Sequence, residues 1–208
     1  MKYIRVAARS SALSRAQVRE IQETLHHMNV VLEPLWITTQ GDREKERSLW
    51  DVDLADFFTK EVDDALLSYT CRIAIHSAKD LPKELARGLS VVAYTKSLDP
   101  SDVLVYHEET RHYQRIGTSS WRRMESVWQL YPHAHPIDMR GTIEERLSLL
   151  DTGFVDALVM AKAALLRLHL AYPTHHLPGP FAPMQGRLAI VARSDDKEMK
   201  ELFACLKG

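Results

Sequence analysis

Four short segments concentrate side chains able to hold an anion or to face a developing positive charge. In Ala8-Arg9-Ser10-Ser11-Ala12-Leu13 an arginine precedes two serines suited to cap a helix. Free backbone N–H groups beside a guanidinium could bind a carboxylate or phosphate, although on these residues alone plain capping beside a solvated arginine is the favoured reading. In Ile75-His76-Ser77-Ala78-Lys79-Asp80-Leu81-Pro82 a hydroxyl, an ammonium and a carboxylate crowd a turn after an apolar strand. α/β proteins place their sites there, but turns also favour Ser and Asp for local reasons. His76 reads as a structural, hydrogen-bonding histidine rather than a base.

The third segment, Arg115-Ile116-Gly117-Thr118-Ser119-Ser120-Trp121-Arg122-Arg123, opens a helix with hydroxyls and then two arginines. Cations in a first turn oppose the helix dipole, so this placement points to an anionic partner. Replacing both arginines by Gln is then expected to leave stability unchanged or slightly raised. The fourth, Met139-Arg140-Gly141-Thr142-Ile143-Glu144-Glu145-Arg146, carries a capping box from Thr142 to Glu145, and Gly153 can end that helix. With Arg9 and Arg167, these arginines stand near strand and helix ends. Guanidinium groups suit bidentate carboxylate binding, so a polycarboxylate ligand fits better than DNA. His133/His135 and His175/His176 are close pairs, but without HExxH or paired cysteines no metal site is assigned.

Elements positioning these groups follow from pattern. Apolar, β-prone runs recur at 4–7, 35–38, 73–75, 91–94, 103–106, 157–160 and 188–191. Between them, Val18/Ile21/Leu25/Met28, Phe58/Val62/Leu66 and Ile143/Leu147/Leu150 form helical stripes, and Met199/Leu202/Phe203/Leu206 suggest a last helix. Such alternation predicts a layered α/β fold with mainly parallel pairing. Residues 171–183, with four of the nine prolines, read as a long irregular loop. A second domain inserted into the first, giving 1–97 plus 188–208 and 98–187, is one economical arrangement. One continuous domain is the other, and pattern alone does not choose.

The 208 residues balance 27 Lys and Arg against 28 Asp and Glu, a net charge of −1 that argues against a nucleic-acid coat. Two cysteines, Cys71 and Cys205, give no disulfide framework, and no apolar run reaches the roughly 20 residues of a membrane span. A cytoplasmic monomer with neither membrane nor nucleic-acid partner is expected.

At these segments the sequence resembles the porphobilinogen deaminase (hydroxymethylbilane synthase) family. The resemblance rests on Ile4–Ser11, Thr39-Gln40-Gly41-Asp42, Ile73–Pro82, Gly117–Arg123, Arg140-Gly141-Thr142, Arg146-Leu147, Leu150–Gly153 and Met184-Gln185-Gly186, in the family's order from about 4 to about 193. It implies two lobes of type-II periplasmic-binding-protein topology with a cleft between them. It also implies condensation of porphobilinogen into the linear tetrapyrrole hydroxymethylbilane, as in heme biosynthesis. Asp80 would be the catalytic carboxylate, taken as buried opposite a developing cation. Arg9, Ser11, Arg122, Arg123, Arg140, Arg146 and Arg167 would hold acetate and propionate groups. Lys60, Ser77 and Gln185 would line the same cleft, and the matched motifs add Lys79, Thr118, Ser119, Ser120 and Gly141.

Departures are specific. Ala55 stands where the family carries a channel lysine, and Met184 replaces a glycine. The family's third domain, whose cysteine carries the dipyrromethane cofactor, has no counterpart before Gly208. Cys205 reads as a packing residue on a helix and Cys71 as a core residue, so covalent attachment is not expected here. The alternative function is a non-catalytic binding module for pyrrole carboxylates or another small polyanion.

Overall fold

The structure, a computed structural model, describes residues 1–44, 46, 48 and 57–206. Ala55 lies outside the described residues. β1 (Lys2–Arg9) leads into α1 (Ala12–Thr24) through Ser11, whose hydroxyl accepts the Ser14 N–H at 3.2 Å. Val18, Ile21 and Leu25 follow at helical spacing and pack on the sheet. Next come β2 (Val30–Ile37), the short α2 (Gln40–Arg43), α3 (Lys60–Leu67), β3 (Ile73–Ser77) and β4 (Leu89–Tyr94). The middle of the chain supplies β5 (Asp102–Tyr106), β6 (Arg115–Thr118), α4 (Trp121–Leu130), β7 (His135–Asp138) and α5 (Ile143–Asp151). It continues through β8 (Ala157–Ala161), α6 (Lys162–Arg167) and β9 (Thr174–His176), and the chain closes with β10 (Leu188–Arg193) and α7 (Lys197–Leu202).

These elements fall into two compact units, one drawn from Met1–Arg43, Leu54–Leu98 and Gly186–Gly208, the other from Glu44–Asp53 and Asp99–Gln185. The first holds a sheet of order β2-β1-β3-β10-β4, the second one of order β7-β6-β8-β5-β9. In the first unit, Ile4, Val6 and Ala8 of β1 pack toward α1 with Ile73 and Ile75 of β3. Ala7 and Ala74 point the other way and pack with Val62 and Leu66 of α3. The second unit builds its core from Leu104, Ile116, Val127, Ala157 and Val159. No helix among the described residues is long and apolar enough to cross a membrane.

The pairing is more mixed than alternation predicts. β1 runs parallel to β2 and β3, but β10 is antiparallel to both β3 and β4. The second sheet repeats this, with β6 parallel to β7 and β8 while β5 is antiparallel to β8 and β9. A parallel neighbour needs a crossover of a dozen or more residues, usually a helix. β5 and β10 enter their sheets along the segments that pass between units, without one. Residues 171–183 are also not wholly irregular, because Thr174–His176 pairs with Val103–Val105 as an edge strand. The stripe at Phe58 begins too early: α3 starts at Lys60.

The start of α4 shows where the anion demanded by its arginines lies. Asp102, at the head of β5, is 1% exposed. Arg123 gives it two bonds, from Nε at 3.0 Å and Nη2 at 2.8 Å, and Arg122 a third from Nη2 at 2.7 Å. Gln185 Nε2 adds another at 3.0 Å while also donating to the Pro100 carbonyl. Burial works against the charge of Asp102, but the two arginines outweigh it and hold the carboxyl below its ordinary range. The expected dipole penalty is therefore met inside the chain, and stability should not be indifferent to these arginines.

Arg123→Gln leaves the buried Asp102 charge short of its main partner and should destabilise the fold by about 3–5 kcal/mol near neutral pH. The stabilisation a depressed carboxyl provides is present above its unfolded value of about 4 and is lost as pH falls through the lower folded value. The gap between variant and wild type should thus narrow below about pH 4. Urea unfolding of both proteins at pH 7 and pH 3.5 measures this, and equal stabilities at pH 7 would contradict it.

Candidate functional site

The carboxyl ends of β1 and β3 lie side by side in the first unit. Their register, Val6 opposite Ile73 and Ala7 opposite Ala74, brings Arg9 and His76 to the same end of the sheet. A pocket of about 60 Å³ opens there, and four sequence-predicted site residues line it: Arg9, Ser11, Ser77 and Asp80. Asp80 sits in the 3-10 turn Ala78–Asp80 that leaves β3, a turn pinned by the Ala78 N–H on the Arg187 carbonyl at 3.0 Å. Its carboxylate is exposed, not buried as expected, because so short a turn at a strand end puts it at the rim. Ser77 accepts a bond from Gln17 Nε2 of α1 at 2.8 Å.

Arg9 is already engaged. Its guanidinium pairs with Asp42 and lies 4.4 Å from the centre of the Phe58 ring. Burial disfavours the Asp42 charge, yet the Arg9 bond and charge, helped by the Thr39 N–H and hydroxyl, hold its carboxyl below the usual range. Gly41 permits this approach: a Cβ there would stand 2.2 Å from the Phe58 ring and 2.9 Å from the Phe57 carbonyl oxygen. His76 is buried, and burial followed by the Arg9 charge pulls its imidazole down to about 4, so it is neutral at pH 7. Its Nε2 has no hydrogen-bond partner. The expected hydrogen-bonding role is thus not visible at that atom. Lys60, exposed at the start of α3, and the half-buried Lys79 are not among the pocket's lining residues.

The second unit groups its predicted residues differently. Ser120 caps α4 by accepting the Arg123 N–H, and Arg122, Arg123 and Gln185 converge on Asp102. Thr142 and Glu145 complete the capping box of α5. Gly141 ahead of it has φ +98°, a backbone conformation that strains any residue with a Cβ and favours glycine. Arg146 sits one turn inside α5, with Nε donating to the Thr142 carbonyl at 3.3 Å. Burial, then the cations of Arg123 and Arg140, pull its guanidinium down to about 10, which marks a local excess of positive charge. Arg140 donates to the Glu44 carbonyl at 3.2 Å. Thr118 is buried at the end of β6, and Ser119 and Arg167 are half-buried.

Sequence reasoning gave no role to Asp102, Asp42, Gln17 or Thr59. An acidic residue opening a strand after Asp99-Pro100-Ser101 was the available signal for the first. The others depend on contacts between segments distant in sequence. Among the described residues no group of three His, Cys, Asp or Glu could hold a metal ion. Cys71 is buried, and burial pushes its thiol up, whereas Cys205 is exposed rather than packed. The Cys205 position falls on the outer side of a 3-10 turn whose Phe203 and Leu206 do the packing.

Comparison with known proteins agrees with this architecture. Solved structures of similar fold include the periplasmic VFT2 domain of BvgS from Bordetella pertussis, at TM-score 0.54 and 12% identity over 97% of this chain and 85% of that one. An ancestral cationic amino acid solute binding protein is similar at TM-score 0.55 and 12% identity, over 96% and 86%. These likenesses establish a fold of the periplasmic-binding-protein kind and nothing about ligand. By sequence, the chain is 44% identical to a probable porphobilinogen deaminase of Chlamydia pneumoniae, over 96% of this chain and 88% of the relative. It is 35% identical to the porphobilinogen deaminase of Synechococcus elongatus, over 98% of this chain but 68% of the relative. The family model described as "Porphobilinogen deaminase, dipyromethane cofactor binding domain" matches residues 4–201. On this likeness, together with the ordered motifs around the Asp80 turn, the chain belongs to the porphobilinogen deaminase family, enzymes of tetrapyrrole biosynthesis.

Proposed function

We propose that the chain binds porphobilinogen at the Asp80 pocket and condenses it, with loss of ammonia, toward the linear tetrapyrrole hydroxymethylbilane. The observation that carries this reading is the placement of Arg9, Ser11, Ser77 and Asp80 around one pocket at the ends of β1 and β3. Asp80 accepts the pyrrole N–H and faces the cation that develops as the amine departs. A fixed carboxylate stabilises such a charge best where water is thin. Because Asp80 stands at the rim, the substrate ring itself, stacked near Phe58, must supply part of that cover. Arg9 offers a carboxylate group a cation whose orientation Asp42 has already set, which lowers the cost of ordering it. In the second unit, Arg140, Arg146 and Arg167, with Thr118 to Ser120 and Gly141, serve the acetate and propionate groups of the pyrroles. Arg122 and Arg123 contribute there through donors they do not give to Asp102. Gln185 supports them by donating its amide hydrogens to Asp102 and the Pro100 carbonyl. Lys60 and Lys79 add positive charge near the Asp80 turn.

The family's cofactor, dipyrromethane, requires a thiol within reach of the pocket. Cys71 is 2% exposed at the foot of β3 and has no room for a bulky polyanion. Cys205 is accessible, but its Sγ lies 3.8 Å from the sulfur of Met28, at the end of the sheet where the Lys2 N–H meets the Asn29 carbonyl. Arg9 is at the other end of β1, about 23 Å away at 3.3 Å per residue. Two pyrrole rings do not bridge that distance, so neither thiol fits covalent attachment at the pocket. Free pyrroles bind reversibly to the arginines.

Asp80→Asn should leave the thermal midpoint nearly unchanged, since the carboxylate is exposed, while cutting ammonia release at least about a hundredfold. Retained turnover would remove Asp80 from the mechanism. Intact-mass spectrometry of the purified 208-residue chain should give the unmodified mass. An adduct of two pyrrole units on Cys205 or Cys71 would overturn the thiol argument.

A further inference from the structure

Among the described residues, two of the first unit's buried polar atoms without a hydrogen-bond partner belong to residues that line the Asp80 pocket. Thr59 is 1% exposed and stands at the N-cap position of α3, yet its Oγ1 makes no capping bond. His76 is 7% exposed, with Nε2 unpartnered. Folded proteins satisfy nearly all such atoms, so two orphans at one cavity call for an occupant. The cavity, about 60 Å³, has several times the ~10–15 Å³ that one water needs. A threonine hydroxyl offers lone pairs, and a neutral imidazole can present an acceptor nitrogen. The carboxylate of Asp80 shares the same pocket, and Arg9, which lines it among the described residues, is matched by Asp42. Such a surround favours a ligand that donates hydrogen.

We propose that Thr59 Oγ1 and His76 Nε2 form an acceptor subsite that receives an N–H group of the pyrrole substrate and so sets the ring against Asp80. This rests on the porphobilinogen reading above. The donor is the aminomethyl group, because Asp80 takes the single ring N–H.

Thr59→Val removes the acceptor at constant shape, and Thr59→Ser keeps it. His76→Leu removes the other, and His76→Gln retains a polar atom near the Nε2 position. Calorimetry with porphobilinogen should show about tenfold weaker binding for the Val and Leu variants, which is about 1.4 kcal/mol, with most of the affinity restored in the Ser and Gln variants. The thermal midpoint of Thr59→Val should equal or exceed that of wild type, because an orphaned hydroxyl has been removed. A 2-methyl analogue lacking the amine checks the donor: the loss should be confined to porphobilinogen, and an equal loss with the analogue overturns the assignment to the aminomethyl group. Undiminished affinity in the Val and Leu variants overturns the subsite, as does a lowered midpoint in Thr59→Val, since the hydroxyl would then be satisfied by the fold. Ammonia release reports separately. If wild type releases none while the affinity differences persist, the catalytic reading falls and the subsite stands.

Discussion

The buried carboxylate of Asp102 holds three segments of the second unit in place. Four donors reach it: two from Arg123, one from Arg122 and one from Gln185. Those residues belong to the first turn of α4 and to the segment just before β10, while Asp102 itself opens β5. One anion thus fixes a strand head, a helix start and the segment leading into β10. The same bonds place two cations at a helix end that would otherwise repel them. The positive charge felt by Arg146 depends on this arrangement, since Arg123 is one of the cations acting on it. The first unit uses the same device on a smaller scale, where Asp42 orients Arg9 over the Phe58 ring.

These two carboxylates explain how arginine-rich segments pack inside the fold. Clustered guanidinium groups repel one another. An internal carboxylate beside some of them offsets that cost and leaves the remaining donors oriented. What it does not satisfy is equally informative. The pocket at Asp80 retains unpartnered polar atoms on Thr59 and His76, and a folded chain keeps such atoms where something else completes them.

Much of this was legible in the residue pattern because its causes are local. The Thr142–Glu145 capping box, the Ser11 and Ser120 caps, the left-handed Gly153 and the buried stripe of α5 are all decided within a turn or two of helix. The Asp80 turn could be placed because an apolar strand ends where polar residues crowd. Its exposure could not, since that depends on which side of the strand end the turn leaves. β6, β7 and β9 escaped because each is short and carries little apolar alternation, so pairing partners rather than propensity create them. Antiparallel β10 was equally hidden, as strand direction is set by chain path. The Arg122–Arg123 placement points to an anionic partner, whereas the anion they meet in the structure is Asp102, some twenty residues earlier in the same chain.

Porphobilinogen consumption by the wild-type protein is the most direct test of the central claim that the Asp80 pocket carries out condensation. The account predicts that porphobilinogen disappears with release of ammonia in equal amount, and that a linear tetrapyrrole accumulates. Saturable binding of porphobilinogen with neither ammonia nor tetrapyrrole formed would contradict it and make the chain a binding module.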